Sequence, residues 1–563
     1  MYYVVIGAAG LIIILLFIRG LYDEKKAEKK LTEKLKSSFG SDGIKSISYE
    51  DLNSLKRYHE NNSVSYTDGQ IIDDITWNDL DMDKVFARID RCCCQTGSEY
   101  LYDCLRKPVK DEKIIEERNR VVEHFSENPD IRLSLQLILS RIGTLNGVTI
   151  SDYITRLDEV SKDNSFLHYL CSVLALLSMV VIFTYPPAGF PVFFAVLVFN
   201  ILTYFKRKGM IEPYIVSFAY IIRVMNAAGS LLKLKDDEIS GYTERLSEHL
   251  TNLRGLKVNT FILLSGRGMT GGMLNMLLDY IRIFLHLDLI KFNKMLAIVR
   301  EKNADIIELF KIVGFLDCAI SVSSFRESLP VSCKPLHEEK NDAFLDIKEL
   351  HHPLLTDPVP SDINTKRGVL VTGSNASGKS TFLKSVAVAS LLSQSIATVP
   401  ANSYRAPFFD IYSSMSVRDD IMAGDSYYMA EIKALKRILD STSSNETPVI
   451  CFIDEVLSGT NTIERIAASS QILKSLSKPE VLLFAATHDT ELTWMLSDYF
   501  DNYHFSEEVE GNDIRFSYRL KPGSAQSKNA IRLLTLLGYS EEITVNAQES
   551  ADHFVKENKW EKL

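Results

Sequence analysis

The stretch Gly373-Ser-Asn-Ala-Ser-Gly378-Lys379-Ser380-Thr381 decides the reading of this chain. It follows a short apolar run, Gly368 to Thr372, and leads into the helical run Thr381 to Leu392. Strand, glycine-rich turn and helix in that order make a phosphate-binding loop. Glycines let backbone N–H groups curl around phosphate oxygens, and the positive end of the following helix adds attraction. Gly373, Ser374, Asn375, Ala376, Ser377, Gly378, Lys379, Ser380 and Thr381 are the nucleotide-binding candidates. Lys379 is expected to reach the terminal phosphates and the Ser380 hydroxyl to ligate Mg²⁺, so ATP with Mg²⁺ is the expected ligand.

Two further apolar runs end in side chains suited to the same chemistry. Val449-Ile-Cys-Phe-Ile453 delivers Asp454-Glu455 at a strand's end. Asp454 suits the metal, directly or through water, and Glu455 suits an attacking water that it would orient or deprotonate. Val481 to Ala486 ends at Thr487-His488-Asp489, where a histidine beyond a neighbouring strand's edge can sense the γ-phosphate. Lys379, Glu455 and His488 are therefore the catalytic candidates, with Ser380 and Asp454 as Mg²⁺ ligands. Between these motifs lies Asp419 to Glu431, in which Gly424 and Ser426 open a predicted helix. One chain cannot easily aim two helix starts at one nucleotide, so Ser426 is expected to close the site of a partner in a homodimer. From about Asn341 onward, continuous apolar strands alternate with helices, which predicts an α/β domain with a largely parallel sheet.

In order and wording these segments resemble the ATPase of the MutS family, a branch of the ABC-type ATPases. GSNASGKST looks like its P-loop, with Asn375 at the family's asparagine, and GDSYYMAE is similar to its signature segment. DEVLSGTN resembles its acidic motif and dimer-contact loop, and ATHDTEL its histidine motif. His352-Pro353 and the closing Lys521-Pro-Gly-Ser-Ala-Gln-Ser also fit. By this resemblance Tyr518 would stack on adenine. The likeness covers about Asp346 to Ser540 and, more weakly, Trp77 to Leu329, where SSFRESLP looks like the return of the family's levers to the ATPase. It implies ATP hydrolysis at a dimeric composite site and DNA binding of the mismatch-repair type. The mismatch-reading module with its Phe-x-Glu wedge finds no counterpart, since Phe125-Ser126-Glu127 sits in the charged helical segment EERNRVVEHFSENPD. No appended nuclease domain is expected.

At 563 residues, 46% hydrophobic and 24% charged, the chain is long enough for roughly two to four domains. A net charge of -10 argues against a protein that coats nucleic acid nonspecifically, because phosphate binding is driven by Lys and Arg. The eight cysteines include the run Cys92 to Cys94, with no second pair and no nearby histidine, so reduced thiols are expected instead of a zinc site.

Met1 to Ile18 is uncharged, and Arg19, Lys25, Lys26, Lys29 and Lys30 follow it. A signal peptide has the reverse order, so an uncleaved transmembrane anchor is expected. Two more apolar blocks, Phe166 to Tyr185 and Gly189 to Phe205, are separated by Pro186, Pro187 and Pro191 and followed by Lys206, Arg207 and Lys208. They predict a transmembrane helical hairpin joined by a Pro-Gly turn. Positive charge after the first and third spans puts both flanks in the cytoplasm. The expectation is a multi-pass cell-membrane protein with an outward N-terminus and a cytoplasmic ATPase domain.

The expected layout is an anchor (1–18), a charged stalk and linker (19–76), a helical core (77–165), the hairpin (166–205), further core and lever helices (206–340), the ATPase domain (341–546) and a tail (547–563). Two functions fit it. One is a membrane-anchored MutS-like ATPase that engages DNA. The other is an ATP-driven membrane scaffold or mechanical switch acting on a protein or the bilayer. A solute transporter fits less well, because three short spans offer little for a pathway.

Overall fold

A computed structural model describes the chain except residues 1–18, 21, 24, 64–70, 146, 148, 150–151, 153–164, 258–279, 282, 341, 375–376, 416–426, 443–446, 458, 511–512, 526–530, 532–533, 536–537, 558, 561 and 563. The N-terminal anchor, Asn375, Ala376 and Ser426 therefore lie outside the described residues. The chain forms two compact units. One comprises Met1–Tyr66, Ile89–Asp103 and Arg120–Ser328, the other Thr67–Arg88, Cys104–Asn119 and Leu329–Leu563.

The first unit is helical. Most of helix α1 (Gln95–Arg106) lies in it, entered by the turn Cys92 to Cys94. The backbone N–H groups of Cys93 and Cys94 donate to the Asp317 carboxylate at 3.0 and 2.9 Å, and the Cys94 thiol donates at 3.1 Å. A carboxylate from another helix thus satisfies the open donors of this helix start. Burial raises the Asp317 carboxyl to about 6 and pushes all three thiols up.

Helices α2 (Ser165–Thr184) and α3 (Pro186–Leu231) form the hairpin, with only Tyr185 between them. The turn is tighter than the sequence indicates. Pro186 and Pro187 occupy the first helical positions, where no intrahelical N–H is required. Gly189 is needed for the close approach, since a Cβ there would stand 2.5 Å from the Ile182 Cα. The second arm does not stop at Phe205 but runs on to Leu231. Phe166–Thr184 and Pro186–Gly209 are long and apolar enough to cross a membrane, and large side chains such as Phe183 and Phe194 point outward.

Helix α4 (Leu287–Glu301) packs against both arms, and α5 (Asn303–Glu327) follows it at once. Just before α4 the chain breaks at His286, which is left-handed (φ 50°). Hairpin side chains satisfy the carbonyls at this break. Ser172 donates to Leu285 O at 2.6 Å and Asn200 to Phe284 O at 3.0 Å. Tyr204 donates to Asp288 at 2.7 Å, and His168 Nδ1 meets His286 Nδ1 at 3.1 Å. His168, Ser172, Asn200 and Tyr204, polar residues of the apolar arms, thus bind this break.

The second unit is α/β, as the apolar runs predict. Strands β1 (Leu336–His337), β2 (Leu345–Leu350), β3 (Ser361–Thr365) and β5 (Ser403–Ala406) form a small sheet of order β1-β5-β2-β3. The main sheet runs β10 (Asp513–Pro522), β9 (Phe500–Glu510), β4 (Gly368–Thr372), β8 (Val481–Ala486), β7 (Val449–Asp454), β6 (Asp410–Ser414). All its pairings are parallel except β9 with β10. Every residue of β4 and β8 is buried, which is why their sequences are continuously apolar. Helices α6 (Lys379–Ser395), α7 (Tyr427–Ser441), α8 (Thr462–Ser475) and α9 (Thr490–Met495) belong to the same unit. Leu370, Ile438, Cys451, Leu473, Leu483 and Leu492 share one core.

Two boundaries differ from the sequence reading. Residues 77–88 and 104–119, expected in the helical core, pack with the sheet. Asp79 accepts from the Ser413 hydroxyl at 2.7 Å and from Met415 N at 2.9 Å, at the end of β6. Trp77 is fully buried, with the Arg106 guanidinium 4.1 Å above its ring. At the other end, the helix Glu541–Glu557 crosses the expected start of a tail at 547.

Candidate functional site

Parallel strands leave their carboxyl ends along one sheet edge, and there β4, β7 and β8 deliver their loops. Because β8 lies between β4 and β7, the phosphate-loop candidate, the acidic pair and the histidine arrive side by side. Gly373 (φ 146°) and Gly378 (φ 110°) turn the chain between β4 and α6. A Cβ on Gly373 would meet Phe505 O and Ser377 Oγ at 2.9 Å, so the loop admits no side chain there. Lys379 opens α6, and its ammonium donates to Gly373 O at 2.9 Å and Ser374 O at 2.8 Å.

The other side chains close round it. His488 Nε2 stands 3.0 Å from Glu455 Oε1 and 3.5 Å from Lys379 Nζ. A protonated Nε2 donates to Glu455, whereas an unprotonated one accepts from Lys379. The Ser380 hydroxyl hydrogen-bonds to Asp454. Burial raises the Asp454 carboxyl, with Ser380 opposing that rise, while the His488 contact holds Glu455 below the usual carboxylate range. Glu455 itself is left-handed (φ 62°), its N–H donating to Ala486 O at 3.0 Å. Non-glycine residues in that conformation cost of order 1–3 kcal/mol and gather at functional sites.

Lys379, Ser380, Asp454 and Glu455 border a cavity of about 610 Å³. Ser377, Gly378, Lys379, Ser380, Thr381, Asp454 and Glu455 line it, together with the stretch Leu355 to Val359 and Tyr518. Tyr518 is also left-handed (φ 50°), at the irregularity in β10 between Phe516 and Leu520, and its ring lies beside Gly378. His351 and His352 contribute to the wall. Burial lowers the His352 imidazole to about 4, so it is neutral at physiological pH.

The structure thus brings Gly373, Ser374, Ser377 to Thr381, Asp454, Glu455, His488 and Tyr518 together. Asn375, Ala376 and Ser426 lie outside the described residues. Sequence reasoning missed the wall Leu355 to Val359, which belongs to no recognised motif. It also missed Arg465, which grips Asp489 with two bonds of 2.9 and 2.6 Å and so braces the residue after His488. The Asp directly after the histidine was the available signal.

The residues present suit ATP and Mg²⁺. Ser380 and Asp454 offer paired hard oxygen donors of the kind Mg²⁺ prefers. The loop has a glycine where a Cβ would fill its cradle, and its lysine is turned inward onto carbonyls.

An α/β domain with this edge is the class the fold and site define, and comparison with known proteins narrows it. Residues 369–555 match the family model of MutS domain V, a C-terminal α/β ATPase domain. The DNA mismatch repair protein MutS of Thermus aquaticus is 30% identical over 209 residues, covering 36% of this chain and 25% of the relative. That of Pseudothermotoga lettingae is 32% identical over 234 residues, covering 39% and 28%. That of Thermotoga maritima is 29% identical over 277 residues, covering 47% and 34%. The chain therefore spans about a quarter to a third of the length of the curated relatives it matches.

Proposed function

We propose that this chain is a membrane-held ATPase of the MutS type, in which two copies complete each other's nucleotide sites. The observation that carries the chemistry is the gathering of Lys379, Ser380, Asp454 and Glu455 on a single cavity, with His488 in contact with Glu455 and Lys379. Lys379 exchanges the neutral carbonyls of Gly373 and Ser374 for charged phosphate oxygens, which are stronger acceptors. Ser380 and Asp454 hold Mg²⁺, which supplies positive charge against the phosphates. Glu455, kept anionic by His488, orients the attacking water and takes its proton. His488 then faces the γ-phosphate with a donor. Leu355, Pro358, Val359 and the Tyr518 ring provide a flat apolar wall suited to a purine. Ser426 of a second molecule completes the site, a role supported by the likeness of GDSYYMAE to the family's signature segment.

Membrane insertion is supported by the exposed apolar faces of α2 and α3 and by the basic residues that follow them. The proposed location is the cell membrane, with the anchor and hairpin inserted and the ATPase cytoplasmic. DNA engagement rests on the likeness to the MutS proteins. Its rival is a cycle that acts on the bilayer or a protein, which the exposed hairpin favours.

Phosphate release by Lys379→Ala and Glu455→Gln tests the chemistry. Each is expected to lose on the order of 10²–10⁴-fold in turnover. Unchanged turnover in both would refute the assignment. Binding of duplex, mismatched and branched DNA across a salt series tests the DNA arm, and a flat, weak response removes it.

A further inference from the structure

We infer that the base of the hairpin binds the headgroups of anionic phospholipids. The inference rests on the membrane reading above and adds the chemistry of the lipid. Lys206, Arg207 and Lys208 follow the second apolar span, the pattern of a cytoplasmic flank. The fold packs against this arm a helix, more than eighty residues away, that carries a second basic pair, Lys291 and Lys294. On α4, Asp288 meets Tyr204 at 2.7 Å, while Phe292 stacks on Phe218 at 5.6 Å and meets Tyr214 edge-on at 6.4 Å. Lys291 lies between those two contacts, so it stands alongside residues 204–214 of α3. Lys294 is one turn further on and depresses the Lys291 ammonium, whose burial already lowers it. The Lys208 ammonium lies 5.3 Å from the Tyr204 ring centre.

Tyr204 thus meets both Lys208 and the start of α4, and five cations flank that contact along the two helices. Against them stand Asp288, which is buried and bonded to Tyr204, and Glu212 in the sequence. The same end of the hairpin carries the exposed aromatics Phe166, Tyr169 and Phe205. Aromatic side chains mark the depth at which acyl chains give way to headgroups. A lipid phosphate at that depth meets the cations while its acyl chains run along the exposed apolar faces of the arms. Soluble phosphate satisfies only the first of these, so a lipid is the occupant. Juxtamembrane lysines gain about 1 kcal/mol each from an anionic surface, which is roughly 5-fold in affinity.

The full chain is reconstituted in phosphatidylcholine vesicles containing a minority of phosphatidylglycerol, extracted in mild detergent, and its retained lipid measured by mass spectrometry. Phosphatidylglycerol is expected to be enriched over the vesicle ratio by roughly 5-fold or more. Lys206→Gln with Lys294→Gln, both at exposed positions, should remove most of that enrichment, and Lys206→Arg with Lys294→Arg should keep it. An unenriched ratio, or enrichment indifferent to the glutamines, overturns the inference. So does displacement of the lipid by millimolar inorganic phosphate or by duplex DNA, either of which would assign the site to another ligand. Alkaline carbonate separates the two levels of failure. Protein released by carbonate ends the membrane reading and this site with it, whereas protein that stays embedded without enrichment ends this site alone.

Discussion

Glu99, in the middle of α1, is 2% exposed and carries a carboxyl that burial raises from 4.5 to about 7. Gln95 donates to it at 2.8 Å and Thr149 also hydrogen-bonds to it, both opposing the rise, while Asp152 adds to it. Between about pH 4.5 and 7 the folded chain holds a proton that the unfolded chain has lost. Stability therefore falls as pH rises through that window and levels off above it. The distance from 4.5 to about 7 corresponds to about 3 kcal/mol, an upper bound because relaxation around an ionised carboxylate reduces it. Glu99→Gln keeps an acceptor for Gln95 and offers an amide to Thr149, and it removes the charge. Its melting temperature should match the wild type near pH 4.5 and exceed it by on the order of 5–10 °C near pH 8. Melting of the two full-length proteins across that range by near-UV circular dichroism measures the difference. Parallel curves, or a variant that loses ground as pH rises, would refute the burial account of Glu99.

Tyr518→Ala removes the ring beside Gly378, and base stacking is worth roughly 1–3 kcal/mol. KM for ATP should rise on the order of 10-fold while kcat holds, and an unchanged KM removes Tyr518 from the base wall. Gly189→Leu puts a Cβ 2.5 Å from the Ile182 backbone, so the arms must separate at the tip. The variant should lose carbonate-resistant membrane association in a fractionation assay, and wild-type retention would show that the tip tolerates opening.

The strands β4, β7 and β8 were legible because burial on both faces demands continuous apolar runs, and GVLVT, VICFI and VLLFAA supply them. The strands β9 and β10 escaped notice because FDNYHFSEEVE keeps no strict alternation, its apolar residues falling at Phe500, Tyr503, Phe505 and Val509. The four short strands of the small sheet are too brief to show a period. The split of residues 77–119 between two units was illegible for a different reason. Helical periodicity reveals that one face is buried, but not what it is buried against. The hairpin turn misled because proline usually breaks helices, yet at a helix start its missing N–H costs nothing. The polar half of the site was readable because phosphate chemistry fixes residue types at short spacing. The apolar wall was not, since Leu355, Pro358 and Val359 differ in no way from core residues until the fold aligns them.

The polar residues of the hairpin have consequences beyond its stability. Apolar side chains offer free carbonyls no partner, so a helix break beside two apolar arms persists only if polar side chains satisfy it. Ser172 and Asn200 do so for Leu285 and Phe284, which ties the arms to the start of α4. From α4 the chain passes through Lys302 directly into α5, whose Asp317 holds the entrance to α1 through three bonds. Asp317 cannot slide along α1 without leaving buried N–H donors of Cys93 and Cys94 unpaired, at about 1–3 kcal/mol each. Within this unit, then, a displacement of α5 has two inexpensive routes: α1 moves with it, or the hairpin base moves at the other end. A displacement of α5 is therefore transmitted within this unit to the base of the hairpin.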